Sequence, residues 1–129
     1  GKIELTEANI IVSGGRGMQK PENFALLKEL ADVLGGGVGA SRAAVDANWI
    51  SYAHQVGQTG KTVCPTIYIA CGISGAIQHT AGLGEANFIV AVNKNPQATM
   101  MKMADVAVTA DASDFLNNLI RELKKRIHD

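Results

Sequence analysis

What this chain lacks most plainly is net charge. Twelve Lys and Arg residues face twelve Asp and Glu, for a formal charge of zero. That removes any whole-protein electrostatic case for binding nucleic acid or an anionic membrane surface. Long apolar runs are missing too. The longest are only strand-length, so no transmembrane helix is expected, and the N-terminal GKIELTEAN carries no charged-then-apolar signal pattern. Cysteine is scarce. Cys64 and Cys71 have no CxxC spacing and no neighbouring Cys or His set, which argues against zinc; both read as buried small hydrophobes. No Ser-His-Asp set or paired carboxylates can be assembled, so acid–base catalysis is not expected. With 129 residues, 47% of them hydrophobic and 19% charged, the chain reads as one globular domain.

What is present is an alternation of short apolar runs with helical patterns. Ile10–Val12, Val38–Ala40, Ile67–Ile73, Phe88–Val92 and Val106–Thr109 read as buried strands. Phe24, Leu26, Leu27, Leu30, Ala31 and Leu34 keep helical spacing behind Pro21, and Gly35–Gly37 stop them. Ser41 is a plausible N-cap for RAAVDA, and Ser74 for a short helix that Gly82 ends. A short helix is expected around Thr99–Met103. Ser113 or Asp111 then starts a closing helix with Phe115, Leu116, Leu119, Ile120, Leu123 and Ile127 on one face. The segment 49–62 has no clean period and reads as loop. Near-continuous apolar strands alternating with helices imply an α/β fold, a Rossmann-like parallel sheet with helices on both faces.

In such sheets ligands bind at the carboxyl ends of the strands, and the unusual polar residues fall there. SGGRG (Ser13–Gly17) follows the first strand, GASR (Gly39–Arg42) the second, SGAIQH (Ser74–His79) the third, NKNP (Asn93–Pro96) the fourth and Ala110–Asp111 the fifth. Each has a bland explanation in turn-forming or capping, but their coincidence at every exit favours a ligand surface. Gly14, Gly15 and Gly17 would let backbone N–H groups approach an anion, with Arg16 as a fixed charge; Ser41 and Ser74 at helix N-termini would suit phosphates. The fingerprint G-x-G-x-x-G is absent. QVGQTGKT (Gln55–Thr62) ends like a P-loop, but Gln55 replaces its first glycine and Pro65 opposes a helix after it. Gln55, Gln58, Thr59 and two glycines instead suit the edge of a heterocycle. His79 could be a helix-end histidine or face the ligand; His54 and His128 read as non-functional.

SGGRG, VGASRAAVDA, QVGQTGK, YIACGISGAIQH and AVNKN, in this order, closely resemble the FAD-binding C-terminal domain of the electron transfer flavoprotein alpha subunit. The likeness runs from Ile10 to about Asp111. It implies a nucleotide-binding domain of the deoxyhypusine synthase type holding FAD non-covalently, excised from a longer alpha chain. It implies Gly15, Arg16 and Gly17 near the adenosine-diphosphate side, and Ser41 and Arg42 by the flavin, Arg42 favouring its reduced anionic form. Gln55, Gln58 and Thr59 would line the ring. His79 would donate to the pyrimidine end, Ser74, Gly75 and Ala76 would hold the pyrophosphate, Asn93 and Asp111 would serve the adenosine, and Gly60 and Gln78 would also contact the cofactor. Asn95 stands where the family usually has Asp. The resemblance further implies a beta-subunit partner in a heterodimer, contacts with the rest of the alpha chain, acyl-CoA-type or other dehydrogenases as redox partners, and a cytoplasmic or mitochondrial-matrix location. An adenine-nucleotide-binding regulatory module without redox chemistry is the alternative.

Overall fold

The structure is a computed structural model that describes residues 4–57, 59–75, 82–83 and 86–128. Its centre is a five-stranded, wholly parallel sheet formed by β1 (Ile10–Gly14), β2 (Gly37–Ala40), β3 (Ile67–Cys71), β4 (Phe88–Asn93) and β5 (Val106–Thr109). The spatial order is β2-β1-β3-β4-β5. From β1 the chain steps outward to β2, then returns to lay β3 on the other side of β1. This reversal splits the carboxyl ends of β1 and β3, the place where doubly wound sheets hold ligands.

Side chains alternate across the sheet and separate two cores. Ile11, Tyr68, Ala70, Ile89 and Ala91 point to one face. They are covered by a 3-10 turn at Leu5–Glu7, by Val56, Val63 and Leu83, and by Met100 and Met101 of a short helix, α3 (Thr99–Met103). Val12, Ile69, Cys71 and Val92 point to the other face, beneath α1 (Phe24–Leu34) and the closing helix α4 (Ala112–His128). The helix α2 (Arg42–Asp46) follows β2 and buries Ala44 in this second core.

The helix boundaries follow local chemistry. Pro21 opens a 3-10 turn that leads into α1, and Gly35 ends α1 in the left-handed region (φ 70°). Gly37 already belongs to β2, so only the first two of the three glycines serve the stop. Of the two possible starts for α4, Asp111 is the one used: its Oδ1 accepts the Asp114 N–H at 3.0 Å, while the buried Ser113 hydroxyl makes no hydrogen bond. The cationic end of α4 is a solvated face, pinned by Lys124 to Glu29 of α1 at 2.5 Å.

Two expectations need correction. Cys71 is buried, and burial pushes its thiol up to about 12, as an inert core residue requires. Cys64, however, is exposed. Burial alternates along residues 63–66, with Val63 and Pro65 buried and Cys64 and Thr66 exposed. Nor is 49–62 entirely irregular. It holds a 3-10 turn at Tyr52–His54, and Gln55 and Val56 form isolated bridges with Ala40 and Lys61. The short helix expected after Ser74 falls largely on residues 76–81, outside those described.

Candidate functional site

The strand exits converge on one cavity of about 540 Å³ at the carboxyl edge of the sheet, within the usual range for small-ligand sites. Arg16 and Gly17 reach it from β1; Ser41, Arg42, Ala43 and Asp46 from β2 and α2; Ile73, Ser74 and Gly75 from β3; and Asn93 from β4. Gln55, Val56 and Thr59 close it from the loop beyond α2. Among the lining residues described, two guanidiniums face one carboxylate, so the cavity is electropositive inside a neutral chain.

The loop containing QVGQTGKT is folded back on itself, and no helix starts at its GKT. The Val56 N–H donates to the Ala40 carbonyl at 3.0 Å, anchoring the loop to the end of β2. The Lys61 N–H donates to the Gln55 carbonyl at 2.8 Å and closes the turn. Lys61 itself lies 3.5 Å from Glu4. A P-loop lysine would instead point toward phosphates. Inside the turn, buried Gln55 donates through Nε2 to the Thr59 hydroxyl at 2.9 Å, and the exposed Tyr52 hydroxyl donates to the Thr59 carbonyl. With Gln55 filling one acceptor position, the Thr59 hydroxyl hydrogen can be given to an acceptor in the cavity.

Arg42 lies 3.4 Å from Asp46, one turn on along α2, with both side chains more than half exposed. Such surface pairs contribute only about 0.3–0.5 kcal/mol, so an anion can take Arg42 from Asp46 at little cost. Ser41 performs its expected cap, accepting the Ala44 N–H at 3.3 Å. Asn93 ties two exits together. Its Nδ2 donates to the Ile73 carbonyl at 3.3 Å, while its Oδ1 accepts the Asn95 N–H at 2.9 Å.

The glycines of SGGRG have a different use from the one expected. The Gly15 and Gly17 N–H groups donate to the Cys71 and Gly72 carbonyls, at 3.1 and 2.9 Å. A Cβ on Gly17 would fall 2.6 Å from the Gly72 Cα. These glycines let the β1 and β3 exits cross in contact, and their donors are committed to that crossing. Gly15 and Gly60 do not line the cavity. Gly60 is glycine because a Cβ there would meet the Gln55 carbonyl oxygen at 2.4 Å. Gln58, Ala76, Gln78 and His79 lie outside the described residues. His54, read as non-functional, sits with its Nδ1 2.8 Å from the Val38 carbonyl oxygen. Sequence reasoning missed Ala43, Asp46, Val56, Gly72 and Ile73 as lining residues; the i,i+4 spacing of Asp46 from Arg42 was the available signal.

Asp111 also stands apart from the cavity lining. The Asp114 N–H, then Lys94 at 3.3 Å, hold its carboxyl below the ordinary carboxylate range. A depressed carboxyl contributes stability above its unfolded pKa and loses it as pH falls through the folded value. Asp111→Ala is therefore expected to cost about 1 kcal/mol at neutral pH. Urea titrations of both proteins should converge as pH drops below about 4; a constant gap down to pH 2 would contradict the carboxylate's role.

Comparison with known proteins agrees with this geometry. Residues 4–84 match the family model described as the electron transfer flavoprotein FAD-binding domain. The chain is 61% identical over 123 residues to the electron transfer flavoprotein subunit alpha of Thermoanaerobacterium thermosaccharolyticum, covering 95% of this chain and 37% of that protein. It is 56% identical to the mitochondrial alpha subunit of Dictyostelium discoideum, covering 95% and 34% respectively. For the alpha subunit of Bacillus subtilis the identity is 53%, with 95% and 38% covered. The chain thus spans little more than a third of the length of these relatives. Among solved structures, a Sir2 homologue mutant in complex with ADP-ribose has the same fold at a TM-score of 0.58 and 12% identity, covering 97% of this chain and 96% of that one. The chain belongs to the electron transfer flavoprotein FAD-binding domain family, on an alpha-subunit sequence.

Proposed function

We propose that the cavity holds FAD non-covalently and that the chain is the FAD-binding part of an electron transfer flavoprotein alpha subunit, carrying electrons between dehydrogenases and a downstream acceptor. One observation carries this reading: four strand exits and the Gln55–Thr59 loop converge at the switch point on a single electropositive cavity. The residues present fit a flavin dinucleotide. Two guanidiniums answer its negative charge, and the Thr59 hydroxyl, which accepts one hydrogen bond from Gln55, can donate to a ring nitrogen. When bound, FAD supplies the capacity to take up and release electrons.

The chain's own residues bind and tune. Arg42, held only by an exposed ion pair, can move its charge onto a reduced, negatively charged ring and lower the energy of that state. Thr59, held in place by Gln55 and Tyr52, would donate its hydroxyl hydrogen to the ring. Arg16 would meet the adenosine-diphosphate side. The remaining two-thirds of an alpha chain and a beta subunit are the proposed partners, with dehydrogenases as redox donors and the cytoplasm as the compartment. No described helix is long and apolar enough to cross a membrane.

The test is an absorption spectrum of the purified protein before and after adding FAD, with a fluorescence titration alone and with the beta subunit. Flavin bands and quenching are expected; no quenching at high protein concentration, even with the beta subunit present, would refute the reading. Adenine-nucleotide binding without flavin preference would favour a regulatory module instead. Arg42→Ala should lower the flavin potential by about 60 mV, a tenfold shift in a one-electron equilibrium. An unchanged potential would remove Arg42 from its assigned role.

A further inference from the structure

We propose that Trp49 is a positioning residue, holding Arg16 over its ring so that the guanidinium meets an anionic ligand un-neutralised. The placement begins in the backbone. Helix α2 ends with Asn48 in the left-handed region (φ 62°). The Asn48 N–H donates to Val45 at 2.9 Å, and the Trp49 N–H reaches back to Ala44 at 3.0 Å. That pair of bonds is a Schellman ending, which fixes the direction in which Trp49 leaves the helix. The indole then meets buried Phe24, the first residue of α1, edge to face at 6.2 Å and 77°. Held by α2 on one side and α1 on the other, the ring lies under Arg16, whose Cζ is 5.0 Å from its centroid.

The way Arg16 is held differs from the way other cations near the cavity are held. Arg42 is paired with Asp46, Lys61 with Glu4 and Lys94 with Asp111. Among the described residues, Arg16 has no carboxylate within 4.0 Å. A carboxylate would order the long side chain but would also cancel its charge, and an incoming anion would have to displace it. An aromatic face orders the same side chain and leaves the full charge for the ligand. Phe24 and Trp49 therefore join α1 and the end of α2 to the function of a residue in the 3-10 turn that follows β1.

This inference rests on the reading of the cavity as an FAD site, so the experiment uses FAD and ADP in parallel; ADP carries the anionic part without the flavin. Both would be titrated into the wild type, Trp49→Leu, Trp49→Phe, Arg16→Gln and the double variant Trp49→Leu/Arg16→Gln, with thermal midpoints recorded throughout. Trp49→Leu should weaken binding roughly fivefold. Trp49→Phe, which keeps a ring face, should lose clearly less. In the Arg16→Gln background, Trp49→Leu should add little further loss. Equal loss in both backgrounds, or equal loss for Phe and Leu, would overturn the proposal. Trp49 is the only tryptophan, so its emission gives a readout even if the Leu variant does not fold. ADP should change that emission in the wild type and not in Arg16→Gln; the same change in both would also overturn it. Coupling seen with ADP while FAD fails to bind would sink the flavin reading and leave the positioning role standing. FAD binding without coupling would do the reverse. If neither ligand binds, both fall.

Discussion

Gly72→Ala is expected to cost at least about 3 kcal/mol and to abolish ligand binding. Gly72 stands just past β3 with φ 67°, a conformation that already costs a side chain about 1–2 kcal/mol. The larger part comes from its surroundings. A Cβ at this position would lie 2.5 Å from the Gly17 carbonyl carbon and 2.7 Å from its Cα. Those are backbone atoms, which cannot rotate away as a side-chain tip could. To admit one methyl group, the β1 and β3 exits must separate, breaking the bond from the Gly17 N–H to the Gly72 carbonyl and opening the cavity between them. Gly35→Ala is the matched control. Its φ of 70° is nearly the same, yet nothing lies within 4 Å of the added atom, so only the conformational cost of about 1 kcal/mol is expected. Urea unfolding at constant slope would compare them. Equal losses would mean that the crossing contributes nothing beyond the dihedral angle.

Leu27→Ala should cost about 3 kcal/mol while leaving the affinity of the folded protein essentially unchanged. Leu27 is fully buried at the seam between α1 and β1. Its Cδ1 occupies the space where a Gly14 side chain would be, 2.4 Å from a Cβ built there. The helix can approach the strand this closely because Gly14 has no side chain, and Leu27 fills the resulting hollow. Truncation leaves a cavity that rigid backbone on both sides cannot collapse into. The neighbouring Leu26 is only half-buried and should lose clearly less on the same substitution. Calorimetry of the two variants would separate them. A Leu27 loss no greater than the Leu26 loss would show the seam to be loosely packed.

Elements with strong local chemistry were legible in the sequence. All five strands were found from apolar runs, α3 and β5 with their observed bounds, and α1 from its spacing and its glycine stop. The gathering of polar residues at strand exits located the cavity, because the rule linking sheets to ligands depends only on strand direction. Pairing information was not legible. Nothing local tells β3 to lie beside β1 and away from β2. For the same reason Gly15 and Gly17 read as anion donors when their N–H groups serve the β3 exit. Trp49 falls in the segment that reads as loop because its neighbours in space, Phe24 and Arg16, lie far from it in sequence. Cys64 differs from the expectation because burial alternates residue by residue there, with Val63 and Pro65 inside, in a segment that does not join the sheet.

The reversal of strand order also gives the two edges of β1 unequal closure costs during folding. β1 can pair with β2 as soon as α1 has formed between them, since only a short stretch of chain must close. Its other edge must wait for Ile67–Cys71, whose pairing with β1 closes a loop more than twice as long. The cavity lies across that later seam. A nascent chain can thus hold a formed β1-α1-β2 unit while its ligand-binding surface does not yet exist. Until β3 arrives, the apolar edge of β1 is open to any other strand, and the Gly17–Gly72 crossing marks the moment at which that exposure ends.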